Sequence, residues 1–327
     1  MKKLSILLML LCGCSSGLRD VIGLSGDEGE VQVAFRGTKS PGEMGDADMS
    51  GFRYLTYDHN LGSWSGEFGG EAVRTGGPQG PFFPADASRV YWPEGKIYSF
   101  FAVGYNENVS VEERDVEFGN SYTMYSSGTS AILTLKNPGH NVDWLAAKAP
   151  RQEKINGIPL NFRHLCARVG RLTFDLSAYR EWFESRELDI VEIKMLSCTL
   201  TDVDEQNYIF SSSAETLFNK EGWDYRGSTA RALDGERLLG LASNGCSYAR
   251  SYYAFPGIHV ISVRIQALDI GGDQCIDDRT LSAEVTLPMG ADCELRVSIP
   301  PDDRDLHIEV VNNVSDWISG DSGVVNQ

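Results

Sequence analysis

The sequence is short of cationic side chains: 29 Lys and Arg residues stand against 46 Asp and Glu residues, and the formal net charge is −17. Nucleic-acid binding requires clustered Lys and Arg to neutralise phosphates, so this balance argues against a nucleic-acid partner. It argues equally against adsorption to an anionic membrane surface. The chain is nevertheless 42% hydrophobic, and its 327 residues are enough for two globular domains with separate cores.

Recognisable catalytic and metal-binding motifs are also scarce. The five histidines are scattered, and none is paired with another histidine or a carboxylate at a ligand spacing. The string GDSG at 320–323 resembles the nucleophile loop of trypsin-like proteases, but a catalytic serine needs a base held by a scaffold. The segment DVDEQN at 202–207 lacks the glycine and glutamate of an EF-hand loop, which indicates a turn. We therefore expect no catalytic residues, no metal site and no cofactor.

Long apolar runs are missing, apart from a short one at the start. Residues 4–11 are apolar and follow two lysines, but they are far fewer than the roughly 20 needed to cross a bilayer. A basic start, a brief apolar segment and then small residues are typical of an export signal. The string LCGC at 11–14 resembles the end of a bacterial lipoprotein signal. This resemblance implies removal of residues 1–13, attachment of diacylglycerol to Cys14, and an anchor in the cell outer membrane.

Five further cysteines follow, and no two of them form a CxxC pair; they are Cys166, Cys198, Cys246, Cys275 and Cys293. Without that spacing, neither a zinc site nor a redox motif is indicated. Their odd number leaves at least one without a partner in the chain. We expect most of them to be buried as small hydrophobic side chains.

Apolar and polar residues alternate along much of the chain, whereas helical periodicity is weak. The alternating runs lie at 31–35, 172–176, 191–195, 261–265, 285–287, 295–299 and 306–310. Such alternation is typical of antiparallel strands that bury one face, and Gly- and Pro-rich turns separate the runs. The pattern therefore predicts an all-β, mostly antiparallel fold built of β-sandwiches.

The predicted organisation places a signal peptide at 1–13, a polar tether at 14–29, an N-terminal β-sandwich at 30–178, a C-terminal β-sandwich at 179–318 and a tail at 319–327. The best helical candidate is 177–188, with Ser177 as a candidate N-cap. It lies near the midpoint of the chain and could connect the two sandwiches.

One segment, YWPEGKIYSFFAVGY at 91–105, carries six aromatic residues within fifteen. Two interpretations are open. It could form a sugar-stacking platform that includes Trp92, or it could be a core strand with Tyr98 and Phe100 on one face and Phe101 and Val103 elsewhere. We favour the core strand.

The same segment begins a series of motifs that resembles the fimbrillin-like family of type V pilins, lipoproteins of Gram-negative gut and oral anaerobes. After it come DWLAAKAP at 143–150 and IPLNFRHLCARVGRLTFDL at 158–176. The second half adds SYYAFPG at 251–257, the strand that follows it, and a closing Trp317. Each motif alone is loose, but their order spans most of the mature chain.

The resemblance implies two transthyretin-like β-sandwich domains, no catalysis, a location on the cell surface in a fimbrium, and other pilin subunits as partners. In shaft subunits of that family, a trypsin-like protease cuts after a basic residue near the first strand, and a strand from a neighbouring subunit fills the groove. Here the first strand would be 30–35, and the candidate cleavage residues are Arg36 and Lys39.

This sequence has Thr38-Lys39 where the family often has Thr-Arg, and the tail after Trp317 is a poor donor strand. We therefore expect an accessory, tip or anchor subunit that acts in adhesion and pilus assembly, rather than a shaft pilin. The alternative is a surface glycan-binding β-sandwich lipoprotein that holds a host or bacterial surface ligand. A hydrolase is the least favoured interpretation.

Overall fold

The computed structural model describes residues 33–37, 49, 51–76, 80–85, 91–105, 122–127, 130–137, 139–140, 142–185, 190–211, 224–239, 251–269, 275–300 and 306–312. Most of these residues lie in strands and only one helix is among them, which confirms the predicted all-β class. The domain boundaries derived from the sequence stay a prediction.

The strands of the first half are β1 (Phe35–Gly37), β2 (Gly51–Asp58), β3 (Ser63–Arg74), β4 (Phe82–Pro84), β5 (Tyr98–Tyr105), β6 (Tyr122–Ser127), β7 (Ser130–Lys136), β8 (Trp144–Gln152), β9 (Ile158–Leu160), β10 (Arg163–His164) and β11 (Ala167–Asp175). A helix, α1 (Ser177–Glu184), follows. The second half has β12 (Ile190–Asp202), β13 (Glu205–Ser211), β14 (Asp224–Arg226), β15 (Thr229–Asp234), β16 (Arg237–Leu238), β17 (Tyr252–Ala254), β18 (Gly257–Asp269), β19 (Cys275–Leu287), β20 (Asp292–Ser298) and β21 (His307–Asn312).

An eight-stranded sheet with the order β10-β8-β5-β2-β3-β4-β1-β9 dominates the first half. Three strands separate β1 from β5 in this sheet, yet the ring centroids of Phe35 and Phe100 are 5.5 Å apart. The sheet must therefore curl around its own apolar face. We call the enclosed cluster the inner core; its aromatic members are Phe35, Phe52, Tyr54, Phe82, Trp92, Tyr98, Phe100 and Phe162.

Strand β5 is buried on both of its faces. Tyr98 and Phe100 point into the inner core, whereas Phe101 and Val103 point to the opposite side of the sheet. Side chains alternate across a strand, so a strand between two apolar layers must be apolar at successive positions. The core-strand interpretation of this aromatic segment is confirmed.

A four-stranded sheet, with the order β14-β13-β7-β6, covers part of that opposite side. The cluster between the two sheets, the outer core, includes Leu133, Trp144 and Tyr208 as well as Phe101. Seven residue pairs join β7 to β13 in antiparallel register. A hydrogen-bonded ladder thus links a strand from before residue 178 to one from after it.

The strands β12 and β15–β21 of the second half, together with β11, form another sandwich with its own core. One sheet has the order β17-β11-β20-β21, and the other has the order β15-β12-β18-β19, with β16 also paired to β12. Leu172 and Phe174 from the first sheet face Ile261, Val263 and Ile265 from the second. All five side chains are buried and lie in runs where the sequence predicted an inward-facing alternation. The turn predicted at 202–207 is shorter in the structure: only Val203 and Asp204 connect β12 to β13, and residues 205–207 belong to β13.

Helix α1 is shorter than predicted, and its N-terminus is capped differently. The backbone N–H of Ser177 donates to Asp175 Oδ1 at 2.9 Å, so the side chain that accepts at the start of the helix precedes it. This hydrogen bond lowers the pKa of the Asp175 carboxyl. Among the described residues, no helix is long and apolar enough to cross a membrane.

The cysteines lie mostly in the interior. Cys166, Cys198 and Cys293 are buried, and Cys275 is exposed at the start of β19; none of the four forms a disulfide. Burial raises the pKa of the Cys198 thiol to about 12 and that of Cys293 to about 11. These thiols stay protonated at neutral pH and act as small apolar side chains, as the sequence predicted. Cys246 lies outside the described residues.

A carboxylate organises the turn between β2 and β3. Asp58 Oδ1 accepts the backbone N–H groups of Asn60 and Leu61 at 2.8 and 3.0 Å. Its Oδ2 accepts from Lys96 Nζ at 2.9 Å. Burial raises the pKa of Asp58, but the hydrogen bonds from Lys96 and the two N–H groups outweigh it, and the pKa is lower than usual.

The first prediction concerns the close approach of β2 and β3. A Cβ atom on Gly51 would lie 2.8 Å from the Ala72 carbonyl oxygen, whereas one on Gly235 would meet nothing within 4 Å. We expect Gly51→Ala to lower the free energy of unfolding by about 1–3 kcal/mol because the backbone must shift. Gly235→Ala is the matched control and should leave it unchanged or slightly higher. Equal urea midpoints for the two variants would contradict this packing.

The second prediction concerns the Asp58 turn. We expect Asp58→Asn to cost about 1 kcal/mol of stability at neutral pH because the charged acceptor is lost. The pKa of Asp58 is lower in the folded chain, so its contribution is present above the unfolded pKa of roughly 4 and is lost as the pH falls through the folded value. Melting temperatures of wild type and variant should therefore converge as the pH falls below the unfolded pKa and through the lower folded one. A difference that stays constant over this range would rule out the proposed role.

Candidate functional site

The first strand of the described chain is an internal strand of the eight-stranded sheet. On one side Phe35 pairs with Phe82 of β4 in antiparallel register. On the other side β1 runs parallel to β9, with Phe35 opposite Ile158 and Gly37 opposite Leu160. The backbone N–H of Ile158 also donates to the Ala34 carbonyl at 2.7 Å. Both edges of this short strand are therefore paired.

Phe35 fixes β1 in the inner core. Its side chain is fully buried, and its ring centroid lies 4.8 Å from that of Tyr54 and 5.3 Å from that of Phe52. Val33 and Ala34, just before the strand, are buried as well. Burying one Phe side chain contributes about 1.5–3 kcal/mol, and the edge-on aromatic contacts add to it.

The space that β1 occupies is what we call the first-strand slot: the gap between β4 and β9, floored by the inner core. Emptying the slot would expose an apolar floor and leave the facing backbone groups of β4 and β9 unpaired. Unpaired donors and acceptors in such a place are costly, and an open strand edge is a template for another strand. The slot is chemically suited to hold one extended apolar segment.

Of the two predicted cleavage residues, only Arg36 can be located relative to this slot. Arg36 lies within β1, its backbone is paired with Pro159, and its exposed side chain packs over Gly157. The peptide bond after Arg36 is thus part of a ladder, and a protease cannot bind it as an extended substrate until the strand leaves. Lys39 lies outside the described residues, and so does Cys14. Of the range 30–35 predicted for this strand, residues 30–32 lie outside the described residues, and β1 begins at Phe35.

The last described strand has a different environment. Strand β21 pairs with β20 at one end of the order β17-β11-β20-β21. Leu306 just before it is buried, whereas Ile308 and Val310 are half-buried. Trp317 and the tail at 319–327 lie outside the described residues. The first and the last described strands therefore differ, since the former is internal and the latter lies at a sheet end.

Buried aspartate–histidine pairs are the polar feature that sequence reasoning missed. His164 Nδ1 lies 2.7 Å from Asp143 Oδ2, and both side chains are buried. His259 Nδ1 lies 3.5 Å from Asp202 Oδ1. In both pairs the aspartate is 21 or more residues away from the histidine along the chain, and no spacing rule connects them.

Asp202 collects contacts from both halves of the chain. Asn137, at the end of β7, donates to Asp202 Oδ2 at 2.7 Å, and the Tyr252 hydroxyl lies 3.4 Å from the same oxygen. Burial raises the pKa of Asp202, although His259 and the hydrogen bond from Asn137 oppose this effect. Asp202, His259 and Tyr252 are buried, and Asn137 is half-buried. Their mutual contacts suit the positioning of strands.

The other predicted features can be placed briefly. Trp92 is only 4% exposed, and its indole N–H donates to the Lys96 carbonyl at 3.0 Å. It therefore belongs to the inner core and cannot offer its face to a sugar. Within the described part of the chain, no group of three or more His, Cys, Asp or Glu side chains could hold a metal ion. The GDSG string lies outside that part.

The chain is similar in structure to a fimbrial protein from Bacteroides vulgatus, with a TM-score of 0.55 and 12% sequence identity over 88% of this chain and 99% of that one. A fimbrial assembly protein from Parabacteroides distasonis aligns with a TM-score of 0.39 and 9% identity, over 87% and 98% of the two chains. A C-terminally truncated tip fimbrial protein from Porphyromonas gingivalis aligns with a TM-score of 0.33 and 9% identity, over 86% and 99%.

No protein-family model matches the sequence, and no curated protein does. At 12% identity, the likeness to the Bacteroides vulgatus protein establishes a common fold. The resemblance to fimbrillin-like proteins that the sequence predicted is confirmed at this level: the chain has the fold of a fimbrial protein.

Proposed function

We propose that this chain is a fimbrillin-like surface lipoprotein that serves as an accessory, tip or anchor subunit of a type V pilus. It acts in adhesion and in pilus assembly by strand exchange, without catalysis. The observation that carries the proposal is the internal position of β1, a three-residue strand near the chain start whose core contacts rest on one buried side chain. The fold that it shares with a fimbrial protein supports the same class of role.

Strand exchange follows from the physics of the first-strand slot. Strands β4 and β9 are each three residues long, and both pair with β1, which lies between them. Without a strand in that position, their facing backbone groups have no partner. An extended segment from a partner pilin would restore the backbone ladder and place its own apolar side chain where Phe35 lies. The affinity would come from main-chain hydrogen bonds and the specificity from the pocket between Phe52, Tyr54 and Phe100.

The protected bond after Arg36 supports the accessory or anchor role, because Arg36 is the only candidate that an arginine-specific protease could use. A subunit that is not cut there keeps β1 in the slot until a partner strand displaces it, and lipid on Cys14 would keep the subunit attached to the outer membrane. Entry by displacement suits a subunit that joins or terminates a pilus better than one that extends the shaft. The proposal thus assigns the chain two kinds of partner, other pilin subunits and the outer membrane.

The third prediction is a proteolysis experiment on the folded chain with trypsin. We expect the first cut between residues 36 and 39 to fall after Lys39 and not after Arg36, because the Arg36 bond is held in the ladder. Mass spectrometry of the early fragments identifies the bond. Lys39→Gln should then resist cutting in this segment, while the matched Arg36→Gln variant should be cut like the wild type. Rapid cutting of Lys39→Gln after Arg36 would show that β1 opens readily and would contradict retention of the strand.

The fourth prediction tests exchange directly. A specific protease site is inserted at residue 40 and cut in the folded chain, and a labelled peptide with the sequence of residues 30–37 is added under mild denaturant. We expect this peptide to replace the native strand and to migrate with the protein in size-exclusion chromatography. A peptide with Phe35→Asp should be incorporated at least about tenfold less, because it would bury a carboxylate in the inner core.

Two results would overturn strand exchange. One is equal incorporation of the two peptides. The other is a cleaved chain that loses its first segment and still melts at the wild-type temperature, since that would show that the slot needs no strand.

A further inference from the structure

Arg151 has the only positive φ, 43°, among the non-glycine residues that the structure describes. It lies in β8 at an irregularity opposite β5, where the register shifts between the pairs that involve Tyr98 and Phe100. L-residues avoid this backbone region because Cβ crowds the carbonyl oxygen, so a side chain here is kept at a conformational cost. Glycine would adopt this backbone conformation at a lower cost. A role for the guanidinium would explain why arginine occupies the position instead.

A buried hydroxyl holds Arg151 beside a histidine. The Arg151 backbone N–H donates to Ser99 Oγ at 3.0 Å, and the fully buried Ser99 Oγ lies 2.7 Å from His59 Nε2. Arg151 Nη1 lies 3.4 Å from His59 Nδ1. Within the described residues the exposed guanidinium has no carboxylate partner, and most of its donors are uncommitted.

The charge around His59 is predominantly positive. Burial lowers the pKa of its imidazole, nearby Arg151 and Lys148 lower it further, and Asp58 opposes them only in part. The Asp58 carboxylate is already occupied by Lys96 and two backbone N–H groups. A neutral imidazole can accept from Arg151 at Nδ1 and donate to Ser99 from Nε2, which aims the arginine without cancelling its charge.

An aromatic cluster adjoins these cations, with Phe101 and Tyr57 buried and Trp64 partly exposed. Lys148 Nζ lies 5.2 Å from the Phe101 ring centroid, and the half-buried Trp64 ring packs on the same ring at 5.3 Å. Tyr57 joins the two parts, since its ring centroid is 5.3 Å from that of Trp64 and 5.1 Å from that of His59. We call His59, Trp64, Lys148 and Arg151 the cationic–aromatic patch.

We propose that the cationic–aromatic patch binds a carboxylated sugar, with its carboxylate on Arg151 and Lys148 and its ring on Trp64. An arginine fork matches a carboxylate in geometry, and an aromatic face matches the apolar face of a sugar ring. A peptide is less suited here, because the strands β8, β5, β2 and β3 are paired with one another and offer no free backbone groups on this face. The site is independent of strand exchange and lies apart from the first-strand slot.

The test is calorimetric titration of the purified full-length chain with tetragalacturonate, its methyl ester and neutral maltotetraose. We expect binding of tetragalacturonate alone, because the ester keeps the ring and removes the charge. Arg151→Gly should weaken this binding at least about tenfold. It should not lower the melting temperature, because glycine adopts the positive φ without strain. Lys148→Gln should weaken binding less, and Arg53→Gln, at a cation already paired with Glu71, should leave it unchanged.

Four results would overturn the assignment. The first is undiminished binding by a folded Arg151→Gly variant. The second is equal binding of the ester or of maltotetraose, which would remove the carboxylate from recognition. The third is binding of a tetraglutamate peptide as tightly as tetragalacturonate, which would make the patch an acidic-peptide site. No binding of any of these probes also counts against it.

Discussion

The burial of β5 on both faces is the constraint on which the rest of the structure depends. Three successive residues of β5 make different contacts. Phe100 packs against Phe35 in the inner core, and Phe101 contacts Trp64 and Lys148 on the other face. Ser99 accepts a hydrogen bond from the Arg151 backbone N–H. The alternation of side chains along a strand assigns neighbours to opposite layers. One strand therefore supports the first-strand slot on one side and the cationic–aromatic patch on the other.

Much of this arrangement could be predicted from the sequence because it depends on short-range patterns of apolar and polar residues. The aromatic run around Phe100 is too apolar for a strand with one wet face, so a buried strand follows from composition and spacing alone. The inward positions of β11 and β18 follow from period two. The same reasoning placed Trp92 in a core, and its buried indole bears this out.

What could not be predicted depends on contacts between distant residues. The pairing of β7 with β13 joins segments about 70 residues apart, and neither strand carries a mark of its partner. The Asp143–His164 pair has no characteristic spacing. Arg151 is hardest, because sequence reasoning expects glycine where φ is positive. The register shift between β5 and β8 determines its environment, and residue propensities do not predict such a shift.

The slot and the patch lie on one sheet, yet their strands are distinct. Strand β1 bonds to β4 and β9, whereas the patch is carried by β8, β5, β2 and β3. Ladders with β2 and β8 hold β5 on both sides, so emptying the slot removes packing from Phe100 but no backbone bond from β5. Hydrogen bonds to Ser99 Oγ would keep Arg151 and His59 in place whichever segment fills the slot. If the chain exchanges strands as proposed, it would present the same patch before and after it joins a pilus.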